Sequence, residues 1–305
     1  PVALLLVVGL VVLVLVVRSD VRDARVDRST GTILPPNSRT TPVPDSEALA
    51  TSCKLQQGIL QRECAIITPP AVTPGERLPV LFLLHGFAEG PVDVRTQGDW
   101  ANAVVEHRFV LVTPQGAFGG WNAGGCCGLA RQTGVDDIDY LDSLIGEIRR
   151  RPDVDPDRIY MAGFSNGGMM TERYACEGNE RIVAAASIAG PRVADCRLRR
   201  PMPMLYIHGT GDTTVPYPGG AGPIAALMGS TFPPARQFVA RLVDEDGCSG
   251  DPAVERRPQV RIETWSDCRS GARVRFVTID GWTHIWPING PFDATTEILD
   301  FFRLS

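Results

Sequence analysis

The chain has a single lysine, Lys54, so nearly all of its positive charge is arginine, a bias of genomic base composition that carries no functional weight. Acidic and basic residues are interspersed, 35 Asp+Glu against 30 Lys+Arg, with a formal net charge of −5. No basic face of the kind that tracks phosphates results, which excludes nucleic acid as a partner. No Cys-x-x-Cys pair occurs and the four histidines are scattered, so no zinc site is predicted. No internal repeat is present.

Charge is absent from one long segment. Val2 to Val17 is uninterrupted apolar sequence, followed at once by Arg18, Asp20, Arg22 and Asp23. A membrane-targeting segment is predicted over residues 1–17, as a signal anchor in preference to a cleaved signal peptide because no small-x-small cleavage site closes the run. Membrane contact is expected only there. Residues 18–50 combine Arg, Asp, Ser, Thr and Pro with few apolar positions, the composition of a flexible, solvated linker. Residues 51–305 remain for the folded domain, ample for one large core. Eight cysteines behind an export signal indicate an oxidising compartment, extracellular or at the cell surface. Sequence order suggests the pairs Cys53–Cys64, Cys176–Cys196 and Cys248–Cys268. Adjacent Cys126 and Cys127 fit either a vicinal disulfide or two buried thiols, the thiols being the commoner state.

From about residue 65, short apolar runs alternate with amphipathic stretches of helix length. Strands are predicted at 78–84, 109–113, 158–162, 183–188, 204–208 and 274–279, several apolar throughout as in strands buried on both faces. Helices are predicted at 100–107, 138–150, 166–176, 235–244 and 295–302, the second capped by Asp136 or Asp137 and stopped by Pro152. The alternation implies an α/β fold with a mostly parallel central sheet covered by helices on both faces. The glycine- and proline-rich stretches 116–128 and 216–234 are predicted to be long, substrate-shaping loops.

The strand at 158–162 runs into Gly163-Phe164-Ser165-Asn166-Gly167 and then a helical pattern. This is the nucleophile-elbow arrangement: glycines flank a sharp turn that lifts the serine hydroxyl above the sheet. Acyl transfer through such a serine requires a carboxylate and a histidine downstream, in the order Ser, Asp, His. Asp212 follows the strand at 204–208 in His208-Gly209-Thr210-Gly211-Asp212, and His284 follows the strand at 274–279 in Gly281-Trp282-Thr283-His284-Ile285-Trp286-Pro287. The other histidines fit the role of base less well. His107 closes a helix, His208 ends a strand and supports the Asp212 loop, and His85 follows an early strand in His85-Gly86-Phe87. The backbone N–H groups of Phe87 and Asn166 are the predicted oxyanion donors.

Together these segments, with Val215-Pro216-Tyr217, Trp121-Asn122 and Gly125-Cys126-Cys127-Gly128, resemble the α/β-hydrolases of the polyhydroxybutyrate depolymerase-like and feruloyl or acetylxylan esterase-like families over roughly residues 60–304. The resemblance implies a serine carboxylic ester hydrolase that needs neither cofactor nor metal. Its ester substrates would be hydroxyacid oligomers, hydroxycinnamates or acetylated sugars. No binding domain follows Phe302, so soluble oligomers or wall-linked esters are expected rather than crystalline polymer. Trp282 and Thr283 stand where relatives carry glycines, so a bulkier rim is expected, with Trp121, Trp282 and Trp286 as candidate substrate-binding aromatics, core packing being the safer reading for Trp286. The alternatives are an acyltransferase of the mycolyltransferase type, and a non-catalytic wall- or carbohydrate-binding protein on a hydrolase scaffold.

Overall fold

In the computed structural model the described residues are 48–178 and 182–304, with 25–26 and 33–34. The chain divides into two units, Pro1–Asp45 and Ser46–Ser305. In the first, β1 (Arg25–Val26) pairs antiparallel with β2 (Ile33–Leu34). The apolar segment 1–17 lies outside the described residues, as does most of the linker stretch. Among the described residues no helix is long and apolar enough to cross a membrane.

The second unit is built on one ten-stranded sheet. Its centre is six parallel strands: β5 (Leu78–Leu84), β6 (Val110–Pro114), β7 (Val154–Phe164), β8 (Ala184–Ile188), β9 (Met204–Gly209) and β12 (Val274–Ile279). They lie in the order β6-β5-β7-β8-β9-β12. Every residue of β5, β6, β8 and β9 is buried, which is why these segments read as continuous apolar runs. Side chains alternate between the two faces. Val80, Phe82 and Leu84 join the core under helices α4 (Asp137–Arg149), α5 (Asn166–Glu177) and α7 (Ala235–Glu245). Leu81 and Leu83 join the opposite core with α2 (Trp100–His107) and α8 (Ala294–Phe302). Each fully buried Leu, Val or Phe in these layers contributes roughly 1.5–3 kcal/mol.

Helix starts follow local chemistry. The side chain of Asp136 accepts the N–H of Asp139 at the start of α4, and that of Asp293 accepts the N–H of Thr296 at the start of α8. The predicted helices and parallel strands are present with ends shifted by a few residues; β7 is the largest extension, beginning at Val154 rather than 158.

Antiparallel hairpins flank the parallel strands at each edge, and neither is among the predicted elements. At one side β3 (Leu49–Gln57) pairs with β4 (Leu60–Thr68), which in turn pairs with β6. At the other, β10 (Ala253–Arg257) pairs with β11 (Val260–Trp265), and β11 with β12. The outermost strand of each hairpin is largely solvent-exposed and polar, so it lacks the apolar pattern that marks the inner strands. Also unpredicted are α1 (Pro91–Gln97) and two five-residue helices, α3 (Gly128–Gln132) and α6 (Pro223–Leu227). Disulfides join Cys53–Cys64, Cys176–Cys196 and Cys248–Cys268. Cys126 and Cys127 also form a vicinal disulfide in place of two buried thiols. Cys53 and Cys64 are direct partners across the β3/β4 ladder, so that bridge staples an exposed edge.

Candidate active site

Ser165 occupies the single-residue turn between β7 and α5, with φ 54° and ψ −121°. A non-glycine residue reaches that conformation only when its surroundings enforce it. Here its N–H donates to the Ile188 carbonyl at 2.8 Å, and its carbonyl accepts from the Met169 N–H at 2.9 Å. The flanking glycines are steric requirements. A Cβ on Gly163 would strike the Gly167 carbonyl, and one on Gly167 would strike the carbonyl oxygens of Leu84 and His85.

Because the strands are parallel, the loops after β7, β9 and β12 emerge on one edge of the sheet, and this brings together three residues distant in sequence. His284 Nε2 lies 2.9 Å from Ser165 Oγ, and His284 Nδ1 lies 2.7 Å from Asp212 Oδ2. Asp212 is buried, and its second oxygen, Oδ1, accepts the backbone N–H groups of Thr214 and Val215, each at 2.9 Å. Burial pushes the Asp212 carboxyl upward, but hydrogen bonds from His208 and His284 outweigh it and hold the group well below the usual carboxylate range. The carboxylate therefore stays ionised and acceptor-only, and His284 must present Nδ1–H to it. That tautomer leaves Nε2 bare, facing the serine hydroxyl as an acceptor. Phe164 packs its ring 5.0 Å from that of His284. Ser165 is 9% exposed and the His284 side chain 16%, so the pair is not sealed from solvent.

The loop after β5 is anchored by His85. Its Nδ1 lies 2.7 Å from the Gly86 carbonyl and its Nε2 accepts the Gly116 N–H at 2.8 Å. Burial lowers its pKa to about 4, so it remains neutral. This ring ties the Gly86-Phe87 turn to the loop after β6. The same two segments are joined again by Trp121, whose Nε1 donates to the His85 carbonyl at 3.0 Å. The Asn166 side chain binds the Trp121 backbone from the other side.

The three tryptophans separate. Trp121 has no exposed surface, and Trp286 is 3% exposed with Nε1 donating to Thr295 Oγ1. Both are packed in the core, so neither presents a face to a ligand in this conformation. Trp282 alone is partly exposed, with its Nε1 donating to the Ile285 carbonyl. Beside His284, Ile285 is 56% exposed, and Phe118 and Leu129 each project at 55% on or next to the 116–128 loop. A lone exposed apolar residue in a loop or a five-residue helix leaves no periodic signal, so these positions do not stand out in the sequence.

Two further contacts shape the surroundings. Ser230 Oγ donates to the Gly125 carbonyl at 2.9 Å, joining the 216–234 loop to the 116–128 loop. Asp137, a candidate cap by sequence, is instead fully buried. It pairs with Arg62 at 2.7 Å and accepts the Asn122 N–H at 2.7 Å. Among the described residues the group compact enough for a metal ion is Cys176, Glu177 and Cys196, whose two sulfurs are already joined.

This sheet, with an elbow serine, a post-strand histidine and a buried carboxylate at its edge, places the protein among the α/β-hydrolases. The acetyl xylan esterase from Aspergillus awamori superposes with a TM-score of 0.61 at 13% identity, covering 84% of this chain and 100% of that one. In sequence, the chain is 30% identical over 233 residues to feruloyl esterase B of Piromyces equi, a match covering 73% of this chain and 42% of that protein. It is 24% identical over 266 residues to a bifunctional acetylxylan esterase/xylanase of Neocallimastix patriciarum, covering 79% and 36%. The chain thus spans less than half the length of these two curated relatives. In sequence the chain is similar to feruloyl and acetylxylan esterases, and its fold is that of the α/β-hydrolases. No protein-family profile matches it.

Proposed function

We propose that the protein is a serine carboxylic ester hydrolase. The observation that carries this reading is the hydrogen-bonded series Ser165–His284–Asp212, at 2.9 and 2.7 Å. Ser165 is the nucleophile. His284 takes its proton as Oγ attacks the ester carbonyl, then returns it to the departing alcohol. Asp212 holds the imidazole tautomer and stabilises the imidazolium that forms. The backbone N–H groups of Phe87 and Asn166 receive the developing oxyanion. Water, activated by His284, then resolves the acyl-enzyme. The substrates are acyl esters of the feruloyl or acetyl-sugar type, a reading supported by the names of the relatives in sequence. The four disulfides support an oxidising, extracellular or cell-surface setting.

The test is a release assay on p-nitrophenyl acetate and butyrate, methyl ferulate, acetylated xylan and hydroxybutyrate oligomers, each beside Ser165→Ala. Turnover that disappears in the variant supports the reading, and the preferred ester names the substrate. Equal turnover in both proteins sinks it.

A further inference from the structure

A second histidine also contacts Asp212. His208, the next-to-last residue of β9, is 2% exposed, and its Nε2 faces two acceptors, the Val215 carbonyl at 2.9 Å and Asp212 Oδ2 at 3.3 Å. A ring nitrogen between two acceptors must carry the proton, so Nε2–H is shared between them. The other nitrogen, Nδ1, lies 2.7 Å from the hydroxyl of Tyr206, itself fully buried. Burial, reinforced by the charges of Glu172 and Asp212, raises the Tyr206 pKa well above its ordinary value, so the phenol keeps its proton. It donates that proton to Nδ1 and selects the Nε2–H tautomer. Tyr217, the other titratable group against His208, packs its ring 5.5 Å away and bonds through its hydroxyl to Thr278.

Oδ2 of Asp212 therefore contacts two imidazoles, those of His284 and His208. Resting on the triad reading above, we propose that His208, its tautomer set by Tyr206, is a positioning residue for Asp212: it fixes the oxygen that orients His284 and disperses part of its charge. Neither His208 nor Tyr206 touches the reacting atoms. The Tyr206–His208 pair extends the hydrogen-bonded series inward from Ser165 into the core between β9 and α7, where Tyr206 packs edge-on against Phe238 at 4.9 Å.

The experiment compares wild type with His208→Phe, His208→Gln and Tyr206→Phe. A glutamine amide nitrogen replaces the Nε2 donor, while phenylalanine removes it. Expected for His208→Phe is a kcat about 10–100-fold lower with KM within about threefold, because misplacement of the base harms the transition state more than substrate binding. Its kcat/KM acid limb moves upward, since a carboxylate with one donor fewer carries a less dispersed negative charge. His208→Gln regains most of kcat, and Tyr206→Phe falls between. The low-field proton resonance of His284 Nδ1–H supplies a readout independent of turnover, expected to shift in His208→Phe and to be retained in His208→Gln. A folded His208→Phe with wild-type kcat, pH limb and Nδ1 resonance overturns the proposal. If that variant does not fold, a Tyr206→Phe protein unchanged in all three overturns it equally. Turnover that survives Ser165→Ala removes the triad reading instead, and the resonance alone then decides whether His208 positions Asp212.

Discussion

The side chain of Asn166 clasps the backbone of Trp121 in both directions: Oδ1 accepts its N–H at 2.7 Å and Nδ2 donates to its carbonyl at 3.1 Å. The residue next to the proposed nucleophile thus fixes the loop after β6. Asn166→Asp keeps the acceptor and removes the donor, whereas Asn166→Ala removes both. Both variants retain the backbone N–H proposed for the oxyanion. Steady-state kinetics are expected to show kcat/KM falling about tenfold or more in Asn166→Ala and further in Asn166→Asp, whose buried carboxylate faces the Trp121 carbonyl and sits beside the proposed oxyanion donor.

Ser165 itself bears backbone strain. If Ser165 is the nucleophile as proposed, substitution by alanine is expected to lower turnover by about a thousandfold or more while leaving φ at 54° unfavourable. Glycine occupies that conformation without a Cβ penalty. Thermal unfolding of Ser165→Gly is therefore expected above that of Ser165→Ala, by about 1 kcal/mol in stability. Equal midpoints would mean that the turn is relaxed.

A buried charge cluster makes stability depend on pH. Arg192 bridges Glu245 at 2.6 Å and Glu172 at 3.4 Å, with all three side chains inaccessible or nearly so, and Glu172 Oε1 has no hydrogen-bond partner. Burial outweighs the pull of Arg192 and pushes the Glu172 pKa up to about 7. Burial likewise raises nearby Asp246 to about 7. An acid with a raised pKa favours the folded state when protonated, so its contribution is full below its unfolded pKa and is lost as pH climbs through about 7. Glu172→Gln removes that loss. Its stability relative to wild type should become more favourable between pH 5 and pH 8, by about 1–3 kcal/mol, in urea unfolding at the two pH values. No change in the difference would show that Glu172 titrates normally.

The Arg62–Asp137 pair fixes the loop after β6 from the β4 side through the Asn122 N–H, with Arg62 lying 3.9 Å over the Tyr140 ring. Arg62→Met leaves a buried carboxylate uncompensated and should cost about 3–5 kcal/mol in unfolding free energy. Adding Asp137→Asn to Arg62→Met should recover part of the loss, because a neutral amide still accepts the Asn122 N–H. A double variant no better than the single one would mean that packing, not charge, dominates.

Much of this arrangement is legible in the sequence for a physical reason. Strands buried on both faces must be apolar throughout, so β5, β6, β8 and β9 stand out, and a parallel sheet brings the loops carrying Ser165, Asp212 and His284 to one edge. The hairpins escape because edge strands such as Ala253–Arg257 face water and carry no apolar signature. The burial of Trp121 is equally hidden, whereas for Trp286 core packing is the safer reading from sequence. An indole in a loop reads as a surface aromatic until the partner of its N–H, here the His85 carbonyl, is known to lie beneath it. Arg62 and Asp137 are 75 residues apart and read as ordinary charges until β4 is placed beside β6.

The Ser230–Gly125 hydrogen bond has an evolutionary corollary. The two loops that flank the candidate site after β6 and β9 share one latch, so an insertion or deletion in either changes the resting place of the other. Lineages that diversify ester preference through these loops should therefore alter them in tandem, and a chimera carrying only one loop from a relative should lose selectivity even when every residue of the grafted loop is correct.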